Sequence, residues 1–233
     1  MTAVQPFYVL GGAAMFAVYP LPYHPVYTGE TFSGVTPARI ETYPWDKGGY
    51  RPKAYAAGFY SDEGLHFQLN ALEPDLRATY TVHGAPVYKD SCLELFVNPC
   101  PETDGRYLNF EYNPLGTLLL GCGTSVHART DLSGRAQELA ITPRVRELGG
   151  LYAWSVSFRI PFSLLQSLYP AFDPQTCAVM AANFYKCGDE TPHPHFGCWN
   201  PIPAGPDTSP TFHCPEAFGR LFLMGRGASC RHI

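Results

Sequence analysis

The chain has 233 residues, of which 45% are hydrophobic and 15% are charged, and its formal net charge is −4. This length fits one all-β domain or two small domains with a buried core, and no basic run is present that could follow a nucleic-acid backbone. The 23 prolines and 22 glycines favour short strands joined by tight turns over long helices.

Residues 1–34 are rich in tyrosine, proline and glycine and are predicted to form an arm that packs on the domain. The apolar stretch at residues 7–23 has no basic region before it, is interrupted by Gly11 and Pro20, and is too short to span a bilayer. We therefore expect neither a membrane partner nor export, and hence a cytoplasmic protein. Its eight cysteines contain no CxxC pair and should then be reduced thiols.

Short segments with alternating or continuous apolar residues recur across residues 35–225, which we take as one domain. In GLHFQLNAL, for example, Leu65, Phe67 and Leu69 share one side, as in a strand with one buried face. Such segments, separated by turn signals, predict an all-β fold, an immunoglobulin-like antiparallel β-sandwich with long loops and at most one or two short helices. One helix is expected in PFSLLQSLYP. The other strand candidates are CLELFV, YLNFEY, GTLLLGCG, YAWSVSFRIP, CAVMAANFYKC and FGRLFLM.

Two stretches are predicted to lack regular structure. The last residues, 226–233, should form a flexible tail. Residues 187–219 contain too many prolines for a regular element, and a loop of this length in a compact domain is usually functional or disordered. Its aromatic and histidine content argues against disorder, so we expect it to contribute to a functional site.

Two glutamates occupy the polar faces of neighbouring strand candidates. Glu94 alternates with the apolar residues of CLELFV, and Glu111 alternates with those of YLNFEY. If these segments form a hairpin, burying both apolar faces together fixes the parity of the register. Glu94 then lies opposite either Glu111 or Asn109, so that the two carboxylates are sheet neighbours. Their repulsion should raise the pKa of at least one of them.

The glutamate pair is open to four interpretations. It could belong to a satisfied ladder of charges, for which the candidate partners are Arg77, Lys89, Arg159 and Lys186. The carboxylates could accept hydrogen bonds from sugar hydroxyls, or they could ligate calcium together with Asp90 or Asp104. They could also be the acid and base of glycoside hydrolysis, which needs carboxyl groups about 5–9 Å apart.

Six longer motifs follow one another along the chain, which are PVYKDSCLELFVNP, YLNFEYNPLGTLL, YAWSVSFRIPFSLL, NFYKC, CWNPI and FHCPEAFGRLFL. In order and spacing they resemble the family 9 carbohydrate-binding modules and their family 9-like relatives. The resemblance covers roughly residues 36–224. It implies a β-sandwich of the kind shared with DOMON domains, carbohydrate binding often accompanied by structural calcium, and association with enzymes acting on O-glycosidic bonds.

The resemblance also implies candidate site residues. In the better-known modules two tryptophans clamp a sugar ring, and Trp199 falls on the W-N-P position of one of them. Tyr88 stands where the second tryptophan is expected, and Trp45 could substitute for it from another strand. An aromatic face covers the C–H face of a sugar, while charged and amide groups bind its hydroxyls. The polar candidates are Asp90, Glu94, Asn109, Glu111, Asn183, Lys186 and His213.

The sequence thus predicts a non-catalytic carbohydrate-binding β-sandwich whose partner is a mono- or oligosaccharide. Two alternatives stay open. One is a glycoside hydrolase or a related sugar-modifying enzyme that uses Glu94 and Glu111, and the other is a protein-interaction module. No cofactor is required, calcium is left open, and no nucleic-acid or membrane partner is expected. The oligomeric state is not addressed by the sequence.

Overall fold

A computed structural model describes residues 7–11, 14–27, 31–205 and 207–225. The tail predicted at 226–233 lies outside these ranges, as does part of the N-terminal arm. The described chain forms two packed β-sheets, which confirms the predicted β-sandwich. None of its helices has the length and apolar character that crossing a membrane requires.

The larger sheet has nine strands and carries both glutamates. The strands are β1 Phe7–Gly11, β2 Ala14–Leu21, β6 Cys92–Asn98, β7 Tyr107–Tyr112, β8 Leu118–Gly123, β9 Arg129–Asp131, β12 Val179–Cys187, β13 Phe196–Cys198 and β14 Gly219–Leu223. Their order in the sheet is β1-β2-β14-β12-β6-β7-β8-β9, and β13 pairs with β12. Strands β2 and β14 run parallel, so the sheet is not purely antiparallel. The arm therefore supplies the first two strands at one side of this sheet, β1 and β2.

The smaller sheet consists of β3 Ala38–Ile40, β4 Lys53–Tyr60, β5 Gly64–Glu73, β10 Thr142–Leu148 and β11 Leu151–Pro161. These five strands are antiparallel and lie in the order β10-β11-β5-β4-β3. The predicted short helix is confirmed as α1, Phe162–Leu168, which starts directly after Pro161.

The main core lies between the two sheets and follows the period-two pattern of the strands. Leu95 of β6 and Phe110 of β7 pack there against Phe67 and Phe158 of the smaller sheet. Trp154 is also buried in this core, as its alternation in YAWSVSFRIP predicts. Side chains of opposite parity on β6 and β7, including the glutamates, must therefore point to the outer face of the nine-stranded sheet.

A second apolar cluster covers that outer face. Phe96 and Tyr185 from the sheet pack with Phe212 and Phe218 from the proline-rich segment, residues 187–219. The rings of Tyr185 and Phe212 stack with centroids 4.1 Å apart. The segment is thus held against the sheet by aromatic packing, and it encloses space above the glutamates.

Candidate functional site

Glu94 and Glu111 are direct cross-strand partners in the β6–β7 hairpin. The expected register parity is therefore confirmed, and of its two alternatives the structure has Glu94 opposite Glu111. Their residues are only 2% and 3% exposed. Two carboxyl groups buried side by side disfavour ionisation, because burial removes hydration and each charge repels the other.

The carboxyl group of Glu94 has two thiols as neighbours. Cys187 donates to Glu94 Oε1 at 3.0 Å, and Cys92 donates to the same oxygen at 3.7 Å. Burial, followed by the nearby charge of Glu111, raises the pKa of Glu94 well above its ordinary value. Burial thus favours the protonated form of Glu94, which can donate as well as accept a hydrogen bond.

The two oxygens of Glu111 have different surroundings. Oε1 accepts from Asn109 Nδ2 at 2.8 Å and lies 3.7 Å from Arg129 Nη1, whereas Oε2 is buried without a hydrogen-bond partner among the described residues. Burial raises the pKa of Glu111 to about 7, although Arg129 and Asn109 oppose this shift. A buried acceptor with no donor costs about 1–3 kcal/mol, so Oε2 favours a ligand or water that donates to it.

A cavity of about 280 Å³ opens beside the two glutamates. More than half of its lining residues come from the proline-rich segment, which supports the expectation that this segment contributes to a site. The segment supplies Phe196, Phe212 and His213, and β9 supplies Arg129. The cavity therefore combines carboxyl groups, one guanidinium and several aromatic rings.

Tyr88 and His213 line this cavity, as the sequence proposed for a ligand site. The short 3₁₀ segment Val87–Lys89 carries Tyr88 just before β6. His213 Nδ1 lies 2.6 Å from the Tyr107 hydroxyl, and its Nε2 lies 3.4 Å from Arg129 Nη1. Burial and the charge of Arg129 lower the pKa of His213 to about 4, so its imidazole is neutral at physiological pH.

Trp199 does not line the cavity, which corrects its assignment as one wall of the site. Its side chain is buried in the main core, with ring centroids 5.5 Å from Phe184 and 6.3 Å from Tyr19. A Cβ atom at Gly219 would come within 2.6 Å of the indole, so glycine is needed there for close packing. Trp199 is thus a core residue on the far side of the sheet from the glutamates.

The neighbouring Asn200 explains why the W-N and P-E-x-F-G motifs occur together. Its Oδ1 accepts from Ala17 N of β2 at 2.8 Å, and its Nδ2 donates to the Ala217 carbonyl at 2.9 Å. Asn183 is likewise engaged, because it donates to the Asn200 carbonyl and accepts from Asn200 N, both at 2.9 Å. The two motifs therefore connect the proline-rich segment to β2 and β12 of the larger sheet. Asn183 does not line the cavity.

Lys186 and Asp90 are also corrected as ligand candidates. Lys186 points between the two sheets, where its Nζ lies 3.2 Å from Glu73 Oε2 and 5.8 Å from the ring centroid of Trp154. Asp90 accepts from the backbone N–H groups of Thr79 and Tyr80 at 2.8 Å and 3.0 Å and ties this loop to β6. Asn109 does not line the cavity but donates from Nδ2 to Glu111, and its own Oδ1 has no hydrogen-bond partner among the described residues.

Trp45 does not replace the missing wall directly. Its indole Nε1 donates to Thr208 Oγ1 at 2.8 Å, and its ring contacts Phe196 and Phe212 edge-on or tilted. Phe196 and Phe212 line the cavity, so Trp45 packs behind them and supports their positions.

The two aspartates proposed as calcium ligands beside the glutamates are already paired with arginines in the described structure. Asp90 lies 3.3 Å from Arg77, and Asp104 is bound by Arg106 at 2.6 Å. One group within the described ranges could hold a metal ion, formed by Cys92, Glu94 and Cys187 with ligand atoms within 4.8 Å of one another. Thiols suit zinc rather than calcium, which prefers oxygen ligands. Burial raises the pKa of Cys92 to about 12, so its thiol is protonated at neutral pH.

Comparison with known families decides what kind of protein has this site. The model of carbohydrate-binding family 9 matches residues 31–223. The chain belongs to carbohydrate-binding family 9. None of the curated proteins matches it.

Solved structures agree with the sandwich of this family 9 protein. A protein from Bacteroides uniformis ATCC 8492, to which carbohydrate binding is ascribed, superposes with a TM-score of 0.74 at 24% identity, covering 89% of this chain and 99% of that one. A family 9 module from Caldicellulosiruptor kristjanssonii in complex with cellotriose gives a TM-score of 0.57 at 14% identity and covers 93% of this chain and 97% of its own. The same organism's module in complex with glucose gives 0.58 at 14% identity, with coverages of 92% and 99%. At these identities the likeness establishes the fold.

Sequence reasoning missed several residues that line the cavity of this family 9 member. Phe96 could have been found, because it shares the outward parity of Glu94 on β6. Arg129, Phe196 and Phe212 carry no comparable signal, since they lie on very short strands or in irregular chain whose direction no period fixes. The aromatic content of the proline-rich segment predicts that the segment contributes to a site, but it does not predict which of its rings face the cavity.

Replacing Trp199 tests whether this tryptophan of the family 9 protein is structural. Trp199→Ala should lower the free energy of unfolding by about 3–5 kcal/mol, because it leaves a large hole in the main core. Trp199→Phe keeps part of the packing and should leave sugar affinity unchanged wherever it is folded. Urea unfolding and sugar titration measure the two effects. A folded Trp199→Phe protein that binds sugar tenfold more weakly would contradict the assignment.

Proposed function

We propose that this family 9 protein binds a single sugar ring, or the end of a sugar chain, in the cavity beside Glu94 and Glu111. The observation that carries the proposal is the buried, unpartnered Oε2 of Glu111 in the lining of a cavity with aromatic walls. A sugar hydroxyl is a donor of the required kind. Its bond to an ionised carboxylate is about twice as strong as a neutral hydrogen bond.

The polar half of the site suits vicinal hydroxyl groups. Glu111 can accept a hydrogen bond, and a protonated Glu94 can donate one, while Arg129 donates from the β9 side. Adjacent hydroxyls of a sugar ring act as both donors and acceptors, so they match this mixed set. The raised pKa values of both glutamates fit such a ligand, because a neutral sugar does not require either acid to be fully ionised.

The apolar half of the site suits the C–H face of a sugar ring. The aromatic residues of the cavity lining include Tyr88, Phe196 and Phe212. An amphipathic Tyr ring offers a flat face and a hydroxyl, so Tyr88 can take the wall position that the family resemblance gives to tryptophan. A volume of about 280 Å³ lies at the lower limit for small-molecule pockets, which is why we propose one ring or a chain end.

Calorimetric titration with a panel of mono- and oligosaccharides tests the proposal. Glucose and cellotriose are the first probes, because both are bound in solved structures of another family 9 module. Tyr88→Ala should weaken binding at least tenfold, which corresponds to a loss of about 1.4 kcal/mol. The matched control is Tyr27→Ala, since Tyr27 is 48% exposed and does not line the cavity. Absence of binding across the panel, or a loss in the control alone, would refute the proposal.

A further inference from the structure

A second and larger depression crosses the outer face of the five-stranded sheet. Its volume is about 910 Å³, and it is lined by residues of β3, β4, β5, β10 and β11. Five strands spaced about 4.8 Å apart make this face about 19 Å wide. The glutamate cavity lies on the outer face of the other sheet, so the two sites are separated by the full thickness of the sandwich.

The charges of this groove differ in sign from those of the whole chain. The chain has 16 Lys and Arg against 20 Asp and Glu, yet Glu41 is the only acid among the described lining residues. The five cationic lining residues are Arg39, Arg51, Lys53, Arg144 and Arg146. Such segregation of charge on one face favours an anionic partner.

Three of these cations are free to meet a ligand. The other two are paired, because Arg39 lies 3.3 Å from Glu41 and Arg51 lies 2.7 Å from Asp46. Within the described chain, Lys53, Arg144 and Arg146 form no ion pair, and all three are exposed. They belong to β4 and β10, so they approach the groove from two sides of the sheet.

Besides the cations and several apolar side chains, the lining contains polar groups and aromatic rings. Gln68, Asn70 and Ser155 lie between the cations, and half-exposed Tyr55 lies beside them. Amide and hydroxyl groups can donate to and accept from sugar hydroxyls, and a tyrosine ring can cover C–H surface. Three unpaired cations offer few contacts to a nucleic acid, whose binding depends mainly on neutralising its phosphates.

We propose that this groove is a second carbohydrate site, for an acidic oligosaccharide that contains uronic acids. Arg144 and Arg146 hold carboxylates through paired N–H donors, and Lys53 adds a point charge from the opposite side. The amides and Ser155 bind hydroxyls between the charged units. This site acts independently of the glutamate cavity, so the protein could hold a neutral chain end and an acidic chain at once.

Titration with tetragalacturonate tests the groove. The double variant Arg144→Gln/Arg146→Gln should bind it at least tenfold more weakly than the unmodified protein, and Lys47→Gln, which removes an exposed cation elsewhere, should not. Both arginines are exposed on an edge strand, so the replacements should leave the fold intact. Binding should weaken severalfold between about 0.05 M and about 0.3 M salt, because exposed charges are screened.

Further arms separate this proposal from its competitors and from the sugar cavity. Cellotetraose, a neutral chain of the same length, should bind the groove much more weakly than tetragalacturonate. Glu111→Gln should not alter tetragalacturonate binding, so failure of one site does not imply failure of the other. The proposal is overturned if the double variant binds tetragalacturonate normally or if the unmodified protein does not bind it. Equal binding of polyglutamate or of single-stranded DNA would overturn it as well, because the groove would then recognise charge alone.

Discussion

Replacing Glu111 with glutamine should make the protein more stable at pH 8 and, at the same time, a weaker binder of sugar. Burial raises the pKa of Glu111 to about 7, from an ordinary value of 4.5. The folded state therefore binds this proton more tightly than the unfolded state does, and stability falls as the pH rises from about 4.5 to about 7. Above pH 7 an ionised carboxylate stays buried, and glutamine removes that cost.

The size of the effect follows from the difference in pKa. It amounts to at most about 3 kcal/mol at pH 8 and disappears near pH 4, where the carboxyl group is protonated in both states. Glutamine keeps an oxygen for Asn109 Nδ2 but loses the charged acceptor at Oε2. A hydrogen bond to a charged group contributes about 1.5–3 kcal/mol, so sugar affinity should fall between about tenfold and a hundredfold.

Thermal unfolding at pH 4 and pH 8, together with sugar titration, measures both halves of this prediction. Glu138→Gln is the matched control, because the Arg135 side chain lowers the pKa of Glu138 and its loss should not stabilise the protein at pH 8. A purely structural glutamate would change stability alone. A Glu111→Gln protein that is less stable at pH 8 and binds sugar normally would contradict both arguments.

Replacing Lys186 with methionine should destabilise the protein by about 3–5 kcal/mol, the usual cost of removing one partner from a buried ion pair. Lys186 and Glu73 are 0% and 1% exposed, and Lys186 Nζ lies 3.2 Å from Glu73 Oε2. Without the lysine, the buried Glu73 carboxylate would keep one hydrogen-bond donor among the residues of the described ranges, Trp154 Nε1 at 2.6 Å. The loss should be larger than for any exposed lysine.

The contacts of the Lys186 ammonium group also determine which nitrogen of His195 carries a proton. Its ammonium donates to the Cys187 carbonyl at 2.9 Å and lies 2.8 Å from His195 Nε2. Burial and the charge of Lys186 lower the pKa of His195 to about 3, so the imidazole is neutral. Because lysine can only donate, Nε2 must accept, and Nδ1 then carries the proton donated to the His193 carbonyl at 2.7 Å.

A double-mutant cycle in urea isolates the ion pair. Glu73→Gln alone should also destabilise, and Lys186→Met/Glu73→Gln should cost less than the sum of the two single changes, since neither charge is then left unpaired. Lys53→Met, at an exposed position on β4, is the control and should change stability by less than about 0.5 kcal/mol. Additive single costs in the cycle would show that Lys186 and Glu73 do not depend on each other.

The parity of the strands is the part of the site that the sequence predicts well. Alternation in CLELFV and YLNFEY places Glu94 and Glu111 on one face, and the structure pairs them directly. The same rule could have separated Asn183 from Lys186, because residues three apart on a strand face opposite sides. The same rule places Phe96 on the face of β6 that carries Glu94. Period two thus gives the sheet-borne half of the site wherever the buried face is clear.

The period of two does not predict the half of the site that comes from irregular chain and very short strands. Trp199 is in irregular chain just after β13, where no period fixes the direction of a side chain, and the motif around it proves to be a packing motif. Strand β10 escaped prediction for a related reason. All of its residues are exposed, so it has no apolar face to alternate with. Tertiary contacts, rather than local pattern, place Phe196, Phe212 and Arg129 around the glutamates.

A crystal structure of the protein with the tightest-binding neutral sugar of the panel would show whether the cavity beside Glu94 and Glu111 is the binding site. We expect a sugar ring between Tyr88 and the phenylalanines of the proline-rich segment, with a hydroxyl within hydrogen-bond distance of Glu111 Oε2. A ring bound elsewhere, with Glu111 Oε2 still unpartnered or bonded only to water, would contradict it.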